Sequence, residues 1–143
     1  MTTALLLGAF WGFLEATLGG ALHAMSSPIS GSLMGPIGFG LLFWGAKRGL
    51  TPRHIVVAAF VAAAFKFLDP IIFTMPLTHI RIINPAQAVV SQGLAFAVAL
   101  FVAARSKSSS PIPMLAFISV PLAMVFFNAI SYYVIGYKET GHL

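Results

Sequence analysis

Long apolar runs separated by short polar breaks dominate the chain. The runs cover roughly residues 3–25, 29–46, 54–75, 84–105 and 111–136. Each is close to the ~20 residues that a helix needs to cross the hydrocarbon core of a bilayer. None alternates polar and apolar positions as barrel strands do. Lipid admits only backbones that satisfy their own hydrogen bonds, so helices are the expected element. The pattern predicts an all-α, multi-pass transmembrane helical bundle of five spans, forming a single domain over residues 1–143. A short or re-entrant helix around residues 76–83 would make the spans six.

The breaks carry the chemistry of helix ends. Ser26-Ser27-Pro28 offers a Ser cap with Pro in the first turn, and Thr51-Pro52 repeats the arrangement. Asn84-Pro85-Ala86-Gln87 reads as an Asn cap, Pro at the first helical position and Gln at the third. Asn84-Pro85-Ala86 is also the tripeptide of aquaporin half-helices. Those channels need two copies in a longer chain, and capping explains the one copy here. Gly35-Pro36 and Asp69-Pro70 lie inside runs and predict a kink or an early stop in the second and third helices.

Composition agrees with a lipid environment. Hydrophobic residues make up 59% and charged residues 8% of the 143 residues, against about 25% charged in soluble domains. Mean hydropathy is +0.95. The net charge of +5 does not indicate nucleic acid, because the basic residues are few and sit between apolar runs. The N-terminal run lacks the leading Lys or Arg of a signal peptide and is longer than its apolar core, so it reads as a retained span. Cysteine is absent, which removes thiol chemistry and Cys-ligated metal.

Lys47, Arg48, Arg53, Arg105 and Lys107 fall on the side shared with the N-terminus, and Arg81 and Lys138 on the other. By the positive-inside rule the N-terminus is cytoplasmic, in a cell inner membrane.

Glu15, Lys66 and Asp69 lie within the apolar runs. Ionisable residues in spans face the bundle interior and mark pathways or structural pairs. At about 100° per residue, Gly8, Gly12, Glu15, Ala16, Gly19 and His23 share one face of the first helix. Ala59, Ala62, Ala63, Lys66 and Asp69 share one face of the third. Glu15 and Lys66 each lie about 12 residues into their runs, or roughly 18 Å, so they can meet near mid-membrane. They either form a structural ion pair that fixes packing, or line a polar cavity with Asp69 and His23 that opens outward. Trp11 is not clearly in phase with Glu15. His23, His79, Glu15 and Asp69 are of types that suit divalent transition metals, but their spacing demands no metal, and no cofactor is expected.

Arg81, Asn84 and Gln87, with Ser91 and Gln92, add polarity early in the fourth helix. Asn128, Ser131, Tyr132 and Tyr133 add it late in the fifth, again in the outer half. Interhelical hydrogen bonds explain each singly. Phe13-Leu14-Glu15 and Phe67-Leu68-Asp69 form a faint internal echo. No catalytic set is visible: no nucleophile with a base, no H-E-x-x-H and no phosphate loop. An enzyme is therefore not expected.

The stretch Phe10-Trp11-Gly12-Phe13-Leu14-Glu15-Ala16-Thr17-Leu18-Gly19, with His23 and the Pro-Ile-Ser-Gly that follows, resembles small bacterial membrane proteins. These are similar in style to the substrate-binding S components of energy-coupling factor transporters. That resemblance implies a helical protein that takes a vitamin-like solute or a metal from the outer side. It also implies a coupling membrane subunit and an ATPase as partners. By the same resemblance Ala4, Gly8 and Gly12 would dock the coupling subunit. S components usually have six helices, one more than the count here.

The sequence thus points to a protein that binds a small polar solute for uptake. Glu15, His23, Lys66, Asp69, Arg81, Asn84, Gln87 and Asn128 are its candidate contacts. The alternatives are a non-transporting scaffold or assembly protein that packs through small-residue faces, and an oligomeric channel, which the one-sided polarity disfavours.

Overall fold

The computed structural model describes residues 1–24, 30–69, 71, 76, 80–106 and 111–135, leaving aside the side chains of 23, 24, 30–32, 80, 81 and 111–113. The described residues are helical throughout, apart from turns. Helix α1 is Thr2–Leu14, followed by a π-helical segment Glu15–Gly19 and helix α2, Gly20–Ala24. Helix α3 is Ser30–Lys47. Helix α4, Pro52–Phe65, runs into a 3-10 turn at Lys66–Leu68. Helix α5 is Ile80–Arg105, and helix α6, Pro111–Ala129, ends in a π-helical segment Ile130–Ile135.

Three of these stretches are long and apolar enough to cross a membrane: Thr2–Leu22, Ile82–Arg105 and Met114–Ile135. The α3 and α4 runs expected as spans fall short among the described residues. In α3, five glycines, two serines and Pro36 dilute the apolar character. The regular part of α4 has only 14 residues. Large apolar side chains stand on the surface, with Phe117 84%, Tyr133 81% and Val134 77% exposed. Water would not tolerate such a concentration of apolar surface, and acyl chains would.

Helix α4 occupies the centre, packed against α1 on one side and α5 on the other. Its interior positions are small: Ala58, Ala59, Ala62 and Ala63 are all buried. Glycines bring the neighbours close. A Cβ on Gly8 would stand 2.5 Å from the Ala58 carbonyl oxygen, and one on Gly93 would overlap the Ala59 Cβ. This is the small-residue packing of helices in lipid, where dispersion between backbones replaces the hydrophobic effect. The core is completed by Trp11, Leu42, Ile55 and Phe96. Phe43 meets Phe96 edge to face, with centroids 5.0 Å apart.

The close contacts also fix directions. Gly8 lies against Ala58 and Gly12 against Phe65, so α1 and α4 run parallel. Gly45 lies against Leu7 and Ile55, and Gly38 against Trp11, so α3 runs antiparallel to both. Gly45 therefore places the Lys47-Arg48 end of α3 beside the N-terminal ends of α1 and α4. Arg48 stacks over Trp44 at 5.1 Å, and Arg105 over Phe101 at 4.0 Å, as cations do at the margin of an apolar body.

Helix ends follow the sequence in part. Thr51 caps α4 with His54 in a capping-box arrangement and Pro52 in the first turn. Asn84 is not a cap, because α5 already includes Ile80 and carries Pro85 internally. The missing Pro85 N–H would serve Arg81, one bond beyond the turn whose amides are free anyway. Helix α3 likewise continues through Pro36. The expected interruption before Pro70 does occur, as a change of winding at Lys66.

Candidate functional site

Two irregular turns face each other across the α1–α4 contact. The π segment begins at Glu15, and the 3-10 turn begins at Lys66. The sequence echo of Phe13-Leu14-Glu15 and Phe67-Leu68-Asp69 thus falls on two places where regular winding is lost. Departures from α winding disturb the carbonyl-to-amide ladder and recur at functional positions.

Here side chains serve the disturbed backbone. The Lys66 ammonium donates to the Glu15 backbone carbonyl at 2.6 Å, and to Asp69 Oδ2 at 3.4 Å. All three residues are buried, Lys66 to 1% exposure. The expected Glu15–Lys66 pair is therefore corrected. The contact is to the main chain of Glu15, while the ion pair is Lys66–Asp69, three residues apart on one element. The 3-10 winding from Lys66 to Leu68 brings positions three apart into line, which favours that local partner.

The Glu15 carboxylate turns toward Gly19 instead, where a Cβ would be 3.3 Å from Glu15 Oε2 and 3.6 Å from Lys66 Nζ. From there it lines a cavity of about 230 Å³ between the π segment, α3, α5 and α6. Gly19, Met34, Gly35, Asn84, Pro85, Val89, Gln92 and Phe127 are among its other walls. The Gln92 amide reaches across to α3, with Nε2 near Gly35 and Oε1 against Gly38.

Several buried polar atoms near this region have no hydrogen-bond partner among the described residues: Trp11 Nε1, Gln92 Oε1, Gln87 Oε1 and Asp69 Oδ1. Buried polar groups are ordinarily satisfied. Trp11 and Gln92 both abut Gly38, yet the indole N–H and the amide oxygen do not bond each other.

The candidates from sequence divide clearly. Glu15, Lys66 and Asp69 come together, and Asn84 joins Glu15 at the cavity. Gln87 serves another purpose: its amide nitrogen donates to the Phe127 carbonyl and to Ser131 Oγ, tying α6 to α5. Asn128 is exposed and donates to the Met124 carbonyl of its own helix at 2.9 Å, away from the cluster. An amide placed after an apolar stretch can satisfy itself four residues back, which explains the miss. The side chains of His23 and Arg81, and His79, lie outside the described residues. Among the described residues no three His, Asp or Glu side chains group as metal ligands.

The small face of α1 is also corrected as a docking surface. Ala4, Gly8 and Gly12 are buried within the chain, the glycines directly against α4. Atoms already packed to backbone contact cannot receive a second protein.

Sequence reasoning undervalued Trp11, Gln92 and Phe127. Trp11 is fully buried. Its spacing of four from Glu15 places both on one helix face, a signal that was present. Gln92 was visible as a polar residue in an apolar run. Phe127 had no signal, since nothing in an all-apolar helix marks which Phe turns inward.

Comparison with protein-family models, with curated proteins and with solved structures finds no match.

Proposed function

We propose that the chain is a membrane-embedded solute-binding subunit, of the kind the S-component resemblance implies. The single observation that carries this is the cavity lined by Glu15, Asn84 and Gln92. Polar groups in lipid-embedded helices are costly and are kept where they meet one another or a ligand. Here they meet around a space of about 230 Å³, somewhat below the ~300–1,000 Å³ of drug-sized sites, so the solute is small.

In this reading all five long helical runs cross the membrane of a cell's inner boundary, with α3 and α4 sheltered by α1, α5 and α6. The N-terminus and the Lys47-Arg48-Arg53 cluster lie in the cytoplasm, and the cavity lies in the outer half. The solute enters from outside and passes inward with a coupling membrane subunit and an ATPase. Irregular turns at Glu15 and Lys66 supply the places where α1 and α4 bend as the bundle rocks. The coupling subunit meets an outward apolar face, such as Leu6, Phe10 and Phe13, all exposed.

The test is ligand-dependent stabilisation of the purified protein against a broad panel of vitamin-like solutes and metal ions, together with recovery of a larger membrane partner. No shift with any compound and no partner would end the proposal. A scaffold is the second reading. It is favoured by the exposed α6 face of Phe117, Met124 and Val125, and it requires a dry interior that makes no use of Glu15.

A further inference from the structure

Among the described residues, three ionisable side chains are buried inside the helical body: Glu15, Lys66 and Asp69. Two carboxylates face one ammonium. That ammonium bonds Asp69 and the main-chain carbonyl of Glu15 and lies beside the Glu15 carboxylate at Gly19 without bonding it, so the carboxylate outside the ion pair is Glu15. It is also the one of the three that lines the cavity.

We propose that this cavity selects small organic monocations. The inference rests on the solute-binding reading above and adds the charge of the solute. Among the described residues this buried cluster holds one more carboxylate than ammonium, an imbalance that burial disfavours, and an entering cation supplies the missing charge. The rest of the lining suits the same class. Gln92 also borders the space, with Nε2 near Gly35 and Oε1 turned to Gly38. Phe127 contributes an aromatic ring, a surface that favours cations over neutral isosteres. Met34, Pro85 and Val89 are apolar walls. They cannot replace the hydration shell of an inorganic ion, and they do match the carbon frame of an alkylammonium or alkylguanidinium.

The experiment uses the full chain, purified in lipid nanodiscs, with matched probes: butylguanidinium and choline as cations, butylurea as a neutral isostere and pentanoate as an anion. Binding is read by thermal unfolding and by calorimetry. We expect butylguanidinium to bind at least about ten-fold more tightly than butylurea, the worth of one charge-assisted bond. Glu15→Gln should reduce that preference to about two-fold or less. Phe127→Leu, which keeps the charge, should weaken the cations by roughly three- to ten-fold, and butylurea by less. Should Glu15→Gln fail to fold, the probe series and Phe127→Leu still decide the matter. Tighter binding of butylurea or pentanoate would overturn the charge assignment and leave solute binding standing. So would a Glu15→Gln protein that folds and keeps the cation preference. Binding by no probe of any charge, together with an unresponsive broad solute panel, would remove the solute-binding reading and this inference with it.

Discussion

The Lys66 ammonium bonds to the main-chain carbonyl of Glu15, 2.6 Å away, and not to the Glu15 carboxylate. One side chain thereby does two things. It supplies a donor where the π segment disturbs the helical ladder of α1, and it neutralises Asp69 on its own element. The Glu15 side chain is left to the cavity.

That arrangement predicts a stability pattern. Lys66→Met removes the counter-charge of Asp69 and the donor to Glu15, and should destabilise by about 3–5 kcal/mol. The double variant Lys66→Met, Asp69→Leu should recover part of the loss, because Asp69 no longer leaves an unpaired charge. Reversible unfolding in mixed micelles measures both. A double variant as unstable as the single one would show that the Lys66–Asp69 pairing is not the source of the loss.

Glycine positions should separate sharply. Gly8→Leu drives atoms into the Ala58 carbonyl and should cost about 1–3 kcal/mol through separation of α1 from α4. Gly40→Ala meets nothing within 4 Å and should be neutral or stabilising by up to ~1 kcal/mol, since alanine favours the helix. Melting temperatures of the two variants in one detergent provide the comparison.

Gln87 is assigned to packing, so Gln87→Leu should loosen α6 without altering solute affinity. Interhelical hydrogen bonds in membranes average about 0.6 kcal/mol, and two are lost here, giving an expected cost of roughly 1 kcal/mol. Faster hydrogen exchange confined to residues 127–135 would report it. A changed binding constant with unchanged exchange would move Gln87 into the site.

Because the chain has no cysteine, single cysteines report topology cleanly. Ser106→Cys should react with a membrane-impermeant maleimide only after the cells are opened, and Ser27→Cys in intact cells. The reverse pattern would invert the proposed orientation and place the cavity in the inner half.

Much of the architecture was legible in the sequence. Apolar runs of near-spanning length named the helices, and Thr51-Pro52 marked the start of α4 in place. Periodicity picked out Ala59, Ala62, Ala63, Lys66 and Asp69 as one buried face, because a helix turns by a fixed angle whatever surrounds it. Asn84 misled for a related reason: an Asn-Pro pair favours a helix start locally, and packing in the bundle carried the helix past it. Asn128 misled because polarity alone does not tell an inward amide from one bonded to its own helix.

Sequence by itself determined the class of solvent and the set of faces, since hydrophobicity and helical period are properties of one segment. It also determined that charges inside the body must find partners. Only the tertiary structure decided which partners: Asp69 and a main-chain carbonyl for Lys66, and a cavity for Glu15. Those choices depend on how π and 3-10 winding rotate side chains by a fraction of a turn across a helix contact. Such rotations are set by the packing of two helices together and are encoded in neither one alone.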